Sequence, residues 1–302
     1  MPPKLFSHAA NLFDQGDILA AYALYQQAAE QYGHKVVAYD LRRCEAALSK
    51  KSHSDKKSIH AFVISWEGQQ DNAVNISKLI SHGVDKLTVI YSNKNNEPHH
   101  GTGNWSQVDS SVFFGGKFKR ALDLFEEDVF LLIHADAEYD DWPHLVSVCR
   151  SVMADDRVGI WGPDIDYTPW NTERVKLAEV TISGFSQYVV AHTDAIVAAF
   201  SRGVANRLKR LSYDGNNLGW GIDWAAICYC YARQYYVVRD REVKVNHPNV
   251  TGYSGQQALL EMNSFIEQLS PDEKIMYILL NKYMNCGLDG KMYPVFSLTK
   301  AK

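Results

Sequence analysis

The sequence lacks a long hydrophobic run. No apolar stretch approaches the roughly 18 residues that a membrane-spanning helix needs, and the first residues lack the apolar core of a signal peptide. We therefore expect a cytoplasmic location without a transmembrane segment, and contact with a membrane surface stays open. The chain also lacks a strong charge of either sign: 31 Lys and Arg against 35 Asp and Glu give a net charge of −4. This balance offers no reason to expect a nucleic-acid partner.

Cysteine is scarce. The five cysteines are scattered and odd in number, which excludes a disulfide framework as the basis of the fold and is typical of reduced thiols in the cytoplasm. Cys228 and Cys230 lie in an apolar run without metal-ligand spacing, so we predict that they pack in the core. The 302 residues, of which 46% are hydrophobic, suffice for one large domain with a small appendage.

The appendage is predicted at residues 1–50. Apolar and small residues recur at helical spacing in 5–12 and 21–28, a polar turn separates them at 15–17, and a third helix is predicted at 36–48. The pattern resembles one tetratricopeptide repeat; the alternative is an unrelated helical hairpin. Because a single repeat cannot bury its apolar face alone, we expect it to pack on the neighbouring domain or on another subunit. A homo-oligomer formed through the hairpin is therefore possible.

Beyond a charged linker at 51–58, the pattern changes to alternating strands and helices. Strands are predicted at 59–65, 85–91 and 128–134, and helices at 71–82 and 112–125. This alternation favours an α/β fold with a parallel sheet. Further strands are predicted at 158–161, 187–191 and 195–200, and a helix at 201–211. We assign residues 59–255 to this domain and residues 256–302, which contain two more predicted helices, to a C-terminal helical extension.

The most informative segment is Asp128–Pro143. An apolar run, Val129–Ile133, ends abruptly in acidic residues, as a buried parallel strand does at the edge where α/β sheets bind ligands. Asp136 and Glu138 are hard oxygen donors suited to Mg²⁺ or Mn²⁺, which could bridge to nucleotide phosphates. The alternative is a solvated acidic loop.

Two later motifs add to this segment. In Gly219–Trp224 two glycines allow a close-approaching backbone, and Trp220 offers a flat face for a sugar. Asp223 is a catalytic base, the cap of a helix beginning at Trp224, or both. His247 follows a predicted strand around Val243–Val245. Its imidazole would bind a metal ion, or it packs in a surface turn.

Three motifs follow one another along the chain: an acidic strand end, a Gly-Trp-Gly-x-Asp loop and a strand ending in His. In this order they resemble the motifs of the nucleotide-sugar glycosyltransferases of the GT-A fold, most closely those of the family-two-like members. The resemblance covers roughly residues 59–253. It implies a mostly parallel, Rossmann-like sheet flanked by helices, followed by a smaller mixed sheet. It also implies metal-dependent, inverting transfer of a sugar from a nucleotide-diphosphate donor, with a uridine nucleotide as a candidate. The acceptor would be a glycan or lipid-linked saccharide, as in polysaccharide biosynthesis.

The resemblance also implies roles for individual residues. Asp136 would be the principal metal ligand, although the Asp-x-Asp motif of the family appears as His134-Ala135-Asp136 or as Asp136-Ala137-Glu138. We prefer the first register, with Glu138 as a possible second ligand and the metal's identity open. His247 would complete the metal or diphosphate site, and Asp223 would be the general base.

The remaining candidates would hold the donor and the acceptor. Candidate donor-binding residues are Ser65, Trp66, Glu67, Ser92, Asn93, Lys117, His134, Ala135 and Tyr253, and candidate acceptor-binding residues are Trp220, Gly221 and Trp170. Lys117 belongs to a helix start, Phe114–Lys117, whose free N–H groups would attract anions. Each could also be an ordinary loop residue. The alternative function is a non-catalytic adaptor or a nucleotide-sugar-binding protein that keeps the fold and uses the helical hairpin to bind a partner. A nucleotidyltransferase is disfavoured because no Gly-rich basic loop follows Ser65.

Overall fold

The computed structural model describes residues 4–15, 17–52, 57–95, 97–166, 170–248 and 253–285. The chain divides into two compact units, Met1–Lys56 and Lys57–Lys302. Parts of three predicted features lie outside the described residues: the linker at 53–56, the segment 167–169 before Trp170, and 249–252 before Tyr253. The end of the predicted C-terminal extension, 286–302 with Cys286, lies outside them as well.

The described part of the first unit consists of α1 (Lys4–Asp14), α2 (Ile18–Tyr32) and α3 (His34–Ser52). Three alanines, Ala9, Ala21 and Ala28, are fully buried in its core, so small side chains allow the helices to approach closely. Asp17 caps α2 by accepting a hydrogen bond from the Ala20 N–H at 3.3 Å. The helices agree with the sequence prediction, but the likeness to a tetratricopeptide repeat is not confirmed.

The second unit is a mixed α/β structure. Its strands in the described ranges are β1 (Ile59–Ile64), β2 (Lys86–Tyr91), β3 (Asn104–Gln107), β4 (Val129–His134), β5 (Val158–Ile165), β6 (Lys176–Ile182), β7 (Phe185–Val190), β8 (Val197–Ser201) and β9 (Tyr236–Val245). Its helices there are α4 (Gln70–Ile80), α5 (Phe114–Leu124), α6 (Trp142–Met153), α7 (Thr172–Val175), α8 (Arg202–Lys209), α9 (Ile222–Ala232), α10 (Gly255–Ile266) and α11 (Pro271–Asn285).

The strands form one continuous sheet in the order β3-β2-β1-β4-β8-β5-β9-β7-β6. β1, β2, β3 and β4 are parallel to their neighbours within that group, and β5 is parallel to β9. β8 runs antiparallel between β4 and β5, and β7 is antiparallel to both β6 and β9. The prediction of a mostly parallel sheet is therefore only partly right, and the expected smaller mixed sheet is continuous with the parallel one.

The antiparallel end of the sheet has a local cause. β6 and β7 are only partly buried, as one-sided antiparallel strands are. Ser183 and Gly184 join them, both with positive φ, 52° and 87°, and such a pair matches the twist of a two-residue hairpin. β6 escaped the sequence analysis because half-exposed strands lack a continuous apolar run.

Helices cover both faces of the sheet. Along β1, Phe62 and Ile64 belong to one core, which α5, α8 and α9 complete, while Ala61 and Val63 belong to a second core shared with α4 and α6. Every residue of β1 is buried, which explains why its sequence is apolar on both faces rather than alternating. His60 is the exception, and its ring nitrogens have hydrogen-bond partners in Glu127 and Thr88. The carboxyl ends of these central strands are held by the core on both faces of the sheet, and residues that follow them line the candidate site.

The last two described helices pack into the first of these cores. Met262 and Phe265 of α10 and Leu280 and Met284 of α11 are buried there. The finer division of the chain, with a linker at 51–58 and a C-terminal extension from 256, stays a prediction. Among the described residues, no helix combines the length and the apolar character that crossing a membrane requires. Cys44, Cys149, Cys228 and Cys230 are free thiols buried in the protein, as predicted for Cys228 and Cys230.

Gly115 fixes the contact between α5 and the loop that precedes α9. Its N–H donates to the carbonyl oxygen of Asn217 at 2.9 Å, and a Cβ at this position would lie 1.9 Å from the carbonyl oxygen of Asn216. We expect Gly115→Ala to lower the free energy of unfolding by about 1–3 kcal/mol, because the loop must move. Gly203→Ala is the matched control.

A Cβ at Gly203 in α8 would meet nothing closer than 3.8 Å, so this change should be neutral or stabilising by up to about 1 kcal/mol. Urea denaturation of the two variants measures the difference. Equal stabilities would show that the loop does not rest on Gly115.

Candidate active site

A cleft of about 640 Å³ opens at one edge of the sheet, within the range of roughly 300–1,000 Å³ typical of small-ligand sites. β1, β2, β4, β5 and β9 all point their carboxyl ends at this edge. The loop before the oppositely directed β8 reaches the same edge from β7. The cleft therefore lies where open α/β sheets bind ligands, and residues far apart in sequence meet in it.

Three potential metal ligands meet at the floor of the cleft. His134 ends β4, Asp136 follows it, and His247 follows β9; one ligand atom from each lies within 4.8 Å of the others. His247 Nε2 and Asp136 Oδ1 are 3.4 Å apart, too long for a good hydrogen bond. Two ligands each about 2.1 Å from one ion lie roughly 3.0–3.4 Å apart, so the spacing suits a shared cation.

Two backbone hydrogen bonds hold together the segments that carry Asp136 and His247. The Glu138 N–H donates to the Asn246 carbonyl at 2.8 Å, and the Asn246 N–H donates to the Glu138 carbonyl at 2.9 Å. This bridge ties the turn after β4 to the end of β9 and leaves His247 opposite Asp136. The Glu138 side chain is exposed and is not in the group of three ligands. The structure thus does not bring the predicted second ligand into the site.

His134 is held in a defined orientation. Its ring packs on Phe114 at a centroid distance of 4.6 Å and against the edge of Trp66 at 5.5 Å. Burial lowers the pKa of His134 to about 4, Asp136 opposes that shift, and His247 and Lys117 add to it. His134 is therefore neutral at pH 7 and keeps a lone pair available for a metal ion.

A second group of three potential metal ligands also lines the cleft. Of its members, only Asp223 was a candidate from the sequence. His192, Asp194 and Asp223 place one ligand atom each within 4.8 Å of the others. His192 Nε2 lies 3.2 Å from Asp223 Oδ2, and the His192 side chain is 1% exposed. His192-Thr193-Asp194 repeats the His-x-Asp pattern of His134-Ala135-Asp136, and this repetition was the signal that could have found it.

Asp223 stands at the start of α9. The helix begins at Ile222 and Gly221 precedes it with φ 89°, so the alternative that Asp223 caps a helix beginning at Trp224 is wrong. The Asp223 carboxylate instead accepts a hydrogen bond from the Trp224 N–H at 2.7 Å and is 23% exposed. One oxygen atom thus binds its own helix, while the other faces His192.

Aromatic side chains form the wall near Asp223. Trp220, Trp170 and Tyr253 line the cleft, as does the backbone of Gly221. The Trp220 indole N–H donates to the Tyr253 hydroxyl at 3.0 Å, which fixes the orientation of the indole. Such flat apolar faces are suited to sugar rings.

The predicted donor-binding residues divide into two sets. Trp66, Glu67, Ser92 and Asn93 line the cleft, where Asn93 Oδ1 is buried without a hydrogen-bond partner. Ser65 and Ala135 are fully buried and are not among the residues that line the cleft. The Ala135 N–H donates to the Ile64 carbonyl at 2.9 Å, so this residue joins β1 to the turn after β4.

Lys117 lines the cleft from α5 but differs from the predicted phosphate loop. The N–H of Gly115 donates to the carbonyl oxygen of Asn217, so this one group of the helix start is already used within the protein. Lys117 itself is buried, and its ammonium group donates to the Ser65 carbonyl at 2.8 Å. Burial lowers the pKa of Lys117 to about 8. It is a positive charge facing the cleft near Trp66 and His134.

No known family profile matches the chain, and no curated protein does. Solved structures do. One is the mannosyltransferase PcManGT from Pyrobaculum calidifontis in complex with GDP-Man and Mn²⁺, at 15% identity and TM-score 0.49 over 89% of this chain and 81% of that one. Another is glucosyl-3-phosphoglycerate synthase from Mycobacterium tuberculosis in complex with Mn²⁺, UDP and phosphoglyceric acid. It matches at 13% sequence identity and TM-score 0.48, over 71% of this chain and 80% of that one.

GalNAc-T7 with UDP, GalNAc and Mn²⁺ matches at 12% identity and TM-score 0.49, over 78% of this chain and 51% of that one. Likenesses of this size assign no activity to the chain, and the functional conclusion rests on the site itself.

The buried Lys117 makes the stability of the protein depend on pH. Its pKa is about 8 in the folded state against 10.5 ordinarily, so between these values the unfolded chain binds more protons than the folded one. The free energy of unfolding contributed by this group therefore rises from pH 8 to pH 10.5. Lys117→Met should remove that rise, whereas Lys119→Met, at a half-exposed position on the same helix, should leave it. Urea denaturation across this range gives the comparison, and identical slopes in all three proteins would contradict it.

Proposed function

We propose that the chain is a metal-dependent, inverting glycosyltransferase of the GT-A type. It would take a sugar from a nucleotide-diphosphate donor, with uridine nucleotides the first to test, and deliver it to a saccharide acceptor such as a glycan or lipid-linked saccharide. The observation that carries the proposal is one cleft that contains three potential metal ligands, His134, Asp136 and His247, together with a separate carboxylate, Asp223. The cytoplasmic location and an oligomer through the N-terminal helices stay predictions.

The side chains at the floor of the cleft fit a divalent cation. Asp136 Oδ1 and His134 Nε2 are buried without hydrogen-bond partners, and carboxylate and imidazole both bind Mn²⁺. Asp136 and His247 would hold Mn²⁺ or Mg²⁺, and the ion would supply positive charge to the leaving diphosphate. Lys117 adds a second positive charge on the same side. Trp66 would stack on the nucleobase, and the buried Asn93 Oδ1 would accept a hydrogen bond from its edge.

Asp223 would act on the acceptor. The acceptor hydroxyl gives its proton to the Asp223 carboxylate as its oxygen bonds to the anomeric carbon, and the bond from that carbon to the phosphate oxygen breaks to release the nucleoside diphosphate. The tryptophan faces of Trp220 and Trp170 would hold the sugar. Attack from the side opposite the leaving group inverts the anomeric configuration.

His192 would position this base. Its Nε2 lies 3.2 Å from the carboxylate oxygen of Asp223 that does not bind the helix. Trp170 and Trp224 pack on its ring at centroid distances of 4.9 Å each. Neither ring nitrogen of His192 has a hydrogen-bond partner among the described residues, so the packed ring would position the carboxylate by contact and by charge, and keep it directed at an incoming hydroxyl.

Removing the proposed metal ligand should abolish metal-dependent nucleotide binding. A ligand at 100 times its dissociation constant adds about 2.7 kcal/mol of stability, which a thermal-shift screen of nucleoside diphosphates with Mn²⁺ readily detects. We expect a shift with the wild type, none with Asp136→Ala, and an unchanged shift with the control Asp140→Ala, an exposed position on the same loop. If no nucleotide shifts the wild type, the non-catalytic adaptor becomes the better hypothesis.

Asp223→Asn should separate binding from catalysis. The amide keeps the shape of the side chain but cannot accept a proton, so we expect donor binding to persist and the turnover number to fall by roughly 10²–10⁴-fold. Asp214→Asn, at an exposed position of the preceding loop, is the control with unchanged turnover. The measurement is the rate of nucleoside diphosphate release with donor and a panel of saccharide acceptors. An equal loss of donor affinity and rate would remove Asp223 from the role of base.

A further inference from the structure

We propose that His192, Asp194 and Asp223 form a second cation site, which shares no residue with the group of ligands at the ends of β4 and β9. A divalent ion is held there by one imidazole and two carboxylates, and it takes up an oxygen of Asp223, the proposed base. Excess metal therefore inhibits the enzyme at the acceptor side of the cleft. Binding of this ion is independent of the proposed function, and only its effect on the rate rests on that function.

Two separate parts of the fold bring the ligands together. His192 and Asp194 lie in the connection between β7 and β8, and Asp223 lies in the first turn of α9. One ligand atom from each residue lies within 4.8 Å of the others. Arg239 fixes the connection by donating to the His192 carbonyl oxygen at 3.3 Å. The three side chains are thus placed by rigid elements before any ion binds, as a metal site requires.

The His192 ring is the strongest sign of a missing ligand. Its side chain is 1% exposed, and neither ring nitrogen has a hydrogen-bond partner among the described residues. A buried polar atom without a partner is costly. Trp170 and Trp224 pack on the ring at centroid distances of 4.9 Å each, so the ring cannot easily turn toward water. An ion that reaches Nε2 removes this cost.

The contact between His192 and Asp223 has the geometry of two ligands of one ion. Nε2 and Oδ2 lie 3.2 Å apart, close enough for a hydrogen bond, yet misalignment prevents one. For an ion about 2.1 Å from both atoms, the oxygen lies roughly 40° off the axis of the nitrogen lone pair. A hydrogen bond at that offset is close to its angular limit. The misaligned contact therefore suits a shared ion better than a direct bond.

The charges around the site also favour a cation. Arg239 is fully buried, and its Nη1 lies 3.4 Å from Asp164 Oδ1. Burial lowers the pKa of Arg239, and the charges of Asp194 and Asp164 raise it. With Asp223, three carboxylates share one guanidinium, which leaves two negative charges. Carboxylates that share a site repel each other, and a divalent ion between Asp194 and Asp223 removes that repulsion.

An ion at this position changes what Asp223 can do. Its carboxylate accepts the Trp224 N–H through Oδ1 at 2.7 Å, so Oδ2 is the oxygen left to take a proton. An ion bound to Oδ2 occupies the lone pair that the acceptor hydroxyl needs. We expect the rate of transfer to rise with Mn²⁺ at low concentration and to fall as the second site fills.

Calorimetric titration of the full chain with Mn²⁺ alone tests the site without donor or turnover. We expect two ions per chain in the wild type and in the control Asp140→Ala, an exposed position. In Asp194→Asn one ion should bind as before and the other about ten- to hundredfold more weakly, since even groups that only support a metal ligand are worth that much. Asp136→Ala should have the converse effect. Circular dichroism checks that each variant is folded.

A spectroscopic signature identifies the ligand. Electron spin-echo measurements on Mn²⁺ bound to Asp136→Ala count the imidazole nitrogens on the ion that remains. We expect one coordinated nitrogen, and none when His192→Gln is added to that variant. A residue that only supports the fold would leave the nitrogen in place, so a nitrogen that persists in the double variant contradicts the proposal.

The outcomes separate this proposal from the proposed function. A single ion in the wild type that Asp136→Ala removes and Asp194→Asn leaves overturns the second site. A single ion with the opposite response supports the second site and removes the cation from the proposed transferase. In a transfer assay, inhibition by excess Mn²⁺ that is unchanged in Asp194→Asn overturns the regulatory part. Two ions without a response to any nucleotide support the site and remove the transferase.

Discussion

The backbone bridge between Glu138 and Asn246 joins the two halves of the sheet at the point where the candidate chemistry lies. β4 and β9 are separated in the sheet by β8 and β5, so their tips would not meet through regular strand pairing. The bridge closes that distance with two hydrogen bonds whose acceptors and donors are main-chain groups. The positions of Asp136 and His247 relative to each other therefore depend on the backbone and not on the identity of either bridging side chain, which agrees with the exposed carboxylate of Glu138.

The buried guanidinium group of Arg239 supports the part of the cleft formed by Trp170 and His192. Arg239, in β9, is fully buried and donates to the carbonyl oxygens of Trp170 at 2.7 Å and His192 at 3.3 Å. Burial lowers its pKa, while the charges of Asp194 and Asp164 raise it. A guanidinium has enough donors to hold two chain segments at once. β9 thus supports both sides of the cleft. Arg239 lies within the strand, and His247 follows its end.

The central strands could be predicted from the sequence because strands buried on both faces are predominantly apolar, as in β1, where only His60 is polar, and in Val129–Ile133 of β4. The edge of the sheet could not be predicted in the same way. β3 and β6 are partly exposed and so lack a continuous apolar run. The helix α6 was not predicted either, because the search for apolar strands does not detect a helix that follows the acidic turn. Asp136, His247 and Asp223 stand out as polar residues that end or follow apolar segments. His192 also follows a predicted strand, 187–191, but its contact with Asp223, 31 positions away, depends on β8 running in the reverse direction in the sheet and could not be inferred from the sequence order.

Phe114 gives the two sides of the cleft a common wall. Its ring packs on His134 at 4.6 Å, and on its other side it occupies the space where Gly219 has no side chain, since a Cβ there would lie 2.2 Å from the ring. Gly219, with φ 79°, belongs to the loop that leads to Asp223. A side chain at position 219 would therefore displace the ring that packs on His134, so the absence of a Cβ in this loop also sets the position of a residue on β4.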